Sequence, residues 1–105
     1  MSSTRLETLK GMAEANPSDS FVRYGLAMEY SKLGDTNRAL EEFRSLLTSH
    51  PDYTAGYFMA AQTLAKHGRT AEAISRLKAG ISCAARTDNR HALSEMQSML
   101  DELDR

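Results

Sequence analysis

Cysteine, histidine and paired carboxylates are the side chains from which this chain could build a reactive centre. The sequence holds one cysteine, Cys83, and the histidines His50, His67 and His91. A lone cysteine excludes an intrachain disulfide and any CxxC metal or redox motif, and it fits a reducing compartment. A reactive thiolate needs an electropositive setting, and only Arg86 is close to Cys83 in sequence. Cysteine packed as a small hydrophobe is the simpler reading. His50 precedes Pro51, His67 precedes Gly68, and His91 follows the Asp88–Asn89–Arg90 break. Histidines at helix C-termini are favoured by the helix dipole, which accounts for His50 and His67 without function. No two histidines are spaced to share a metal on one helix. Glu41 with Glu42, and Asp101 with Glu102 and Asp104, are neighbours along helices and read as solvated faces. The glycines are scattered singly, so no phosphate-cradling loop precedes a helix. The residues therefore point to no catalytic site, no metal and no cofactor.

The elements that carry these side chains are legible from their spacing. Many Ala, Leu, Glu, Arg and Met beside two prolines and six glycines favour helix over sheet. A chain of 105 residues suffices for one domain with one core. The net charge of -1 comes from 13 basic and 14 acidic residues mixed along the chain, which favours neither nucleic acid nor an anionic membrane. No apolar run has the length of a membrane span, and MSSTRLETLK lacks the apolar stretch of a signal peptide. A cytoplasmic location is the expectation.

The chain also repeats itself. Shifting YSKLGDTNRALEEF, residues 30–43, by 34 positions superposes it on LAKHGRTAEAISRL, residues 64–77. Gly34 falls on Gly68, Ala39 on Ala73, Leu40 on Ile74 and Phe43 on Leu77. Outside these stretches Tyr24 falls on Phe58, Ala27 on Ala61, Leu47 on Ile81 and Pro17 on Pro51. Gly34 and Gly68 suit the left-handed conformation that ends a helix. Pro17 and Pro51 stop the helices before them. Thr36, Thr70, Ser18 or Asp19, and Asp52 are expected as N-caps, and Thr4 with Glu7 as a capping box. These signals predict six helices near residues 4–15, 19–33, 36–49, 53–67, 70–86 and 89–104. Gly25, Gly56 and Gly80 lie inside helices at a cost of about 1 kcal/mol each relative to Ala, which suggests close helix packing.

This pattern resembles the tetratricopeptide repeat, a helix-turn-helix unit of 34 residues. The resemblance implies an all-α fold, a short right-handed α-solenoid of antiparallel helix pairs, within a single domain over residues 1–105. It divides the chain into a half repeat at 4–15, full repeats at 20–53 and 54–87, and a capping helix at 88–104. Leu6, Leu9 and Ala13 fill second-helix positions in the half repeat. Arg23 stands where the family often has an aromatic, and Ala85 replaces a third proline. Strict periodicity would bury Ser94, Glu95 and Ser98 and expose Leu93, Met96, Leu100 and Leu103. Sliding the frame by two residues inside AARTDNR instead buries Leu93, Met96 and Leu100 and puts Gln97 on the small-residue position. Ser94, Ser98, Asp101 and Glu102 then face solvent, as a terminal helix needs.

The resemblance also implies a function, protein–protein interaction through the concave face lined by first helices. Carried over residue by residue, that face shows Phe21, Tyr24, Met28, Ser31 and Lys32, then Ala55, Phe58, Gln62, Ala65 and Lys66, with His91 and Ser94 from the last helix. Phe21, Tyr24, Met28, Lys32, Phe58, Gln62 and Lys66 are the expected peptide-binding residues, aromatic and Met side chains beside orienting polar groups. Leu26, Tyr30, Leu40, Phe43, Leu46, Leu47, Leu64, Ile74, Leu77 and Ile81 suffice for a core. Phe21, Tyr24 and Phe58 are therefore surplus, either exposed or covered by the first helix. Members of the family that clamp the carboxylate tail of chaperones carry Lys, Asn and Arg where this chain has Tyr24, Met28, Met59, His91 and Glu95, so a more apolar protein or peptide ligand is expected. Self-association as a homodimer, through the same face or the Met-rich last helix, is the alternative.

Overall fold

A computed structural model describes residues 4–105 and shows six helices among them, α1 (Thr4–Ala15), α2 (Ser20–Lys32), α3 (Thr36–Ser49), α4 (Thr54–Lys66), α5 (Thr70–Arg86) and α6 (Arg90–Leu103). The helices gather into two compact units, Met1–His50 and Pro51–Arg105.

In the first unit α2 packs on both α1 and α3. Val22, Leu26, Ala27 and Tyr30 of α2 are buried, as are Ala39, Phe43, Leu46 and Leu47 of α3. Ala27 and Ala39 have no exposed surface at all, which is what a close helix crossing requires. Leu40, expected in the core, is only half-buried. Arg23 fills its expected aromatic position with an ion pair, its Nη1 lying 3.0 Å from Oε1 of Glu42 on α3. Glu42 is accordingly half-buried rather than part of a solvated face. The α1 contribution is Ala13, buried, with Leu6 and Leu9 half-buried. An ion pair of 3.3 Å joins Arg5 of α1 to the buried Glu29 of α2.

In the second unit α4, α5 and α6 pack on one another. Tyr57, Ala60, Ala61 and Leu64 of α4, Ala73, Leu77, Cys83 and Ala84 of α5, and Met96 of α6 are buried. Ile74 and Ile81, expected in the core, are half-buried, as are Leu93 and Leu100. Thr63 is buried and satisfied within its helix, donating from Oγ1 to the Met59 carbonyl at 2.9 Å. Tyr57 Oη donates to the Pro51 carbonyl at 2.8 Å, and Arg86 pairs with Asp52 at 2.6 Å, tying down the chain that enters α4.

Three turns share one geometry. Gly34 (φ 84°), Gly68 (φ 76°) and Asp88 (φ 56°) each take the left-handed conformation. In each, the next residue donates its amide to a carbonyl five residues back: Asp35 to Tyr30, Arg69 to Leu64, Asn89 to Ala84. The carbonyls that a helix end orphans are thereby satisfied. Where proline is missing after α5, Asp88 stops the helix, an acid being among the few non-glycine residues that tolerate this backbone.

The caps differ from the expected ones. Asp19 does cap α2, accepting from the Phe21 and Val22 amides. Thr36 and Thr70 are the first helical residues, and the cap positions before them belong to Asp35, which accepts from the Arg38 amide, and to Arg69. Arg69 has no acceptor to offer and pairs instead with Glu72 in the first turn, at 2.8 Å. Asp52 precedes the α4 cap position, Tyr53, and is used in the Arg86 pair. Thr4 is likewise the first residue of α1 rather than its cap.

Gly80 explains the seat of α6. A Cβ built there would lie 2.5 Å from Met96 Sδ and 2.6 Å from Tyr57 Cβ. The Met96 terminus can swing aside, but Tyr57 Cβ is fixed to the α4 backbone. Gln97, expected at the small-residue position, is exposed and bonds Asp101 at 3.0 Å. The close contact is made by Met96 against glycine, not by a small residue on α6. Gly80→Ala is expected to destabilise the chain by about 1–2 kcal/mol, the overpacking outweighing the gain of about 1 kcal/mol in helix propensity. Urea denaturation checks this, and equal or higher stability would remove the proposed contact.

Burial holds the Tyr57 phenol above its ordinary value, with Cys83 adding to the shift, and burial does the same to Tyr24. An unfolded phenol ionises near pH 10, while the folded one keeps its proton longer, so the unfolded chain binds fewer protons above that pH. Stability is expected to be full below about pH 10 and to fall as pH rises past it. Tyr57→Phe should flatten that fall in alkaline denaturation curves, with a loss of about 1 kcal/mol at neutral pH from the missing hydrogen bond.

Candidate functional site

The expected binding residues fall on two local surfaces. On α2, Phe21, Tyr24, Met28 and Lys32 recur every three or four positions and so share one side of the helix. Phe21 is 73% exposed, Tyr24 and Met28 are half-buried and Lys32 is exposed. Phe21 is therefore not covered by α1. A cleft of about 290 Å³ in this unit is lined by other residues, among them Lys10, Glu14, Tyr30 and the paired Arg23 and Glu42.

On the second unit the side chains converge more fully. A groove of about 510 Å³ is lined by Phe58 and Gln62 of α4 and by His91, Ser94, Glu95, Ser98, Met99 and Glu102 of α6. Phe58 is half-buried and Gln62 exposed. Lys66 is exposed and does not line the groove. Four of the lining residues, Phe58, Gln62, His91 and Ser94, were expected on this face. Of the others, Glu95 was placed on this face only as a position of the carboxylate clamp, Ser98 and Glu102 were expected only to face solvent, and Met99 was not singled out, although with His91 and Ser94 they recur along α6 at helical spacing. Their orientation follows from the burial of Met96, which the shifted frame anticipates; the Gly80 contact that receives Met96 is what sequence spacing does not reveal.

The groove combines apolar area from Phe58 and Met99 with hydroxyl, amide and carboxylate groups. His91 Nε2 lies 3.2 Å from Glu95 Oε1. The arrangement suits recognition of a chain with both apolar and polar side chains. Among the described residues no group of three or more His, Cys, Asp or Glu is placed to hold a metal ion. No helix among them is long and apolar enough to cross a membrane.

Helix pairs joined by left-handed turns, with alanines at the crossings and a groove beside the first helix of a pair, define a helical-repeat protein. Residues 30–96 match the tetratricopeptide repeat, and the chain belongs to that family. The TPR repeat-containing protein PA0015 of Pseudomonas aeruginosa is 29% identical over 100 residues, covering 95% of each chain. The solution structure of a tetratricopeptide repeat domain protein from Salinibacter ruber is similar at 33% identity and a TM-score of 0.79, covering 84% of this chain and 89% of that one. PcrH, solved in complex with the chaperone binding region of PopD, has the same fold at 17% identity and a TM-score of 0.87, covering 94% of this chain and 75% of its own. The fold class is thus all-α, of antiparallel helix pairs.

Cys83 is 1% exposed, with its Sγ 3.3 Å from Thr54 Oγ1. His50 and His67 cap the ends of α3 and α4. His50 Nε2 sits 3.0 Å from the Ser18 carbonyl within the first unit. A thiol buried in this way reacts through opening of the surrounding structure. Labelling of Cys83 with a water-soluble disulfide reagent is expected to be slower by orders of magnitude in the native protein than in urea. Fast native labelling would restore the thiol as a candidate nucleophile.

Proposed function

We propose that this chain is a protein–protein interaction module, without catalysis, that binds a peptide segment or helix of a partner protein in the cytoplasm. The observation that carries the reading is the α4–α6 groove, where Phe58 and Met99 offer apolar surface between polar walls. Phe58 and Gln62 are its α4 contacts. Phe21, Tyr24, Met28 and Lys32 on α2 of the first unit form a separate local surface, and Lys66 lies at the end of α4 outside the groove; these five are proposed as further partner contacts. The PcrH complex supports the reading at the level of fold, since a chain of this architecture there holds a region of another protein.

A second reading, self-association, is favoured by the exposed Phe21, a large apolar side chain with 73% of its surface in solvent. The last helix supports it less. Met96 is wholly buried and Met99 half-buried, so the methionines of α6 serve the core and the groove.

Phe58→Arg tests the first reading, because it replaces the apolar floor with a long cationic side chain that would itself occupy the groove. Capture of the physiological partner is expected to weaken at least tenfold, with helicity and melting temperature kept. A fall of many degrees in melting would assign Phe58 to the core. Light scattering on the wild type at micromolar concentration is expected to report a monomer, and a dimer abolished by Phe21→Ala would favour self-association.

A further inference from the structure

Resting on the α4–α6 groove as the binding surface, we propose that the segment it takes is basic, with two cationic side chains about 10 Å apart straddling an apolar one. Glu95 and Glu102 both line the groove and are seven residues apart on α6, hence separated by roughly 10 Å along the helix axis at a rise of 1.5 Å per residue. Phe58 and Met99 supply the apolar surface, with Ser98 between the two carboxylates along α6. None of the lining residues is Lys or Arg. The one lining group able to carry positive charge is His91, already bonded to Glu95. Among the described residues no cation pairs with Glu102.

The spacing discriminates among ligand classes. One metal ion cannot bridge carboxylates roughly 10 Å apart, since its bonds to oxygen are about 2.0–2.6 Å. Nucleic acid and anionic lipid would meet like charge in the groove. A polypeptide with Lys or Arg on both sides of a Leu, Met or Phe satisfies both the apolar floor and the carboxylates. Charge complementarity of this kind selects among partners and speeds encounter.

The experiment titrates the protein with two synthetic peptides of equal length and equal Leu and Phe content, one carrying two lysines around the apolar residues and the other two glutamates, followed by amide NMR shifts. The lysine peptide is expected to bind at least tenfold more tightly, shifting amides within residues 91–102, with affinity falling as salt rises. Glu95→Gln together with Glu102→Gln should erase that preference while preserving the helical spectrum, both residues being exposed. Equal affinity for the two peptides would overturn the charge reading and leave the groove in place. Failure of both to shift the groove amides at millimolar concentration would overturn the groove as well. A dimer that the paired Gln substitutions dissociate would give the groove to a second copy and overturn the proposal.

Discussion

The constraint on which the structure depends is the close approach of helices at positions without bulk. Ala27 and Ala39 in the first unit, and Ala61 and Ala73 in the second, have no exposed surface. A larger residue at any of them would push two helices apart, because well-packed interiors do not absorb added methylenes. Phe43, Leu46 and Leu77 occupy the space around these contacts and are themselves almost wholly buried. The hydrophobic contribution comes from the large residues, but the geometry that lets them interlock comes from the small ones.

At Gly80 the same constraint reaches the candidate site. Glycine there admits Met96, and seating Met96 inward fixes the rotation of α6 about its axis. At about 100° per residue, Glu95, Met99 and Glu102 then fall to one side of Met96, the side that borders Phe58 and Gln62. The groove is in this sense a product of core packing. Had the strict repeat frame continued through α6, Glu95 would have entered the core, and burying an unpaired carboxylate is costly enough to exclude that register.

Local chemistry made most of the fold legible in the sequence. Each helix begins and ends within a residue or so of the positions implied by Gly34, Gly68, Pro17, Pro51 and the hydrophobic spacing. Finer features escaped where a residue had two uses to choose between. Thr36 has a capping hydroxyl, yet Asp35 just before it holds the cap position, and Asp52 serves Arg86 instead of an amide. Leu40, Ile74 and Ile81 share the apolar pattern of the core but lie at its edge, where only three-dimensional placement separates half-buried from buried. Half of the groove was foreseeable from α4 and the start of α6. The inward turn of Met96 was also legible from the apolar spacing of α6, but that this turn sets Glu95, Met99 and Glu102 beside α4 rests on a contact between residues sixteen apart, Gly80 and Met96.

Net charge illustrates how local arrangement can matter more than composition. A balance of -1 gives no long-range field, so encounter with nucleic acid is not steered by the chain as a whole. That near-neutrality conceals separate pairings. Arg23 answers Glu42, Arg5 answers Glu29 and Arg86 answers Asp52, each across a packing contact or a chain entry. Along α6 the pattern changes: Gln97 binds Asp101 outside the groove, while the groove wall keeps Glu95 and Glu102 with only His91 against them. Arg5, Arg23 and Arg86 are thus committed to the scaffold, while Glu95 and Glu102 are left on the surface that has room for a guest. For a module with little net charge, this division permits charge selection at one surface without a general attraction for charged polymers.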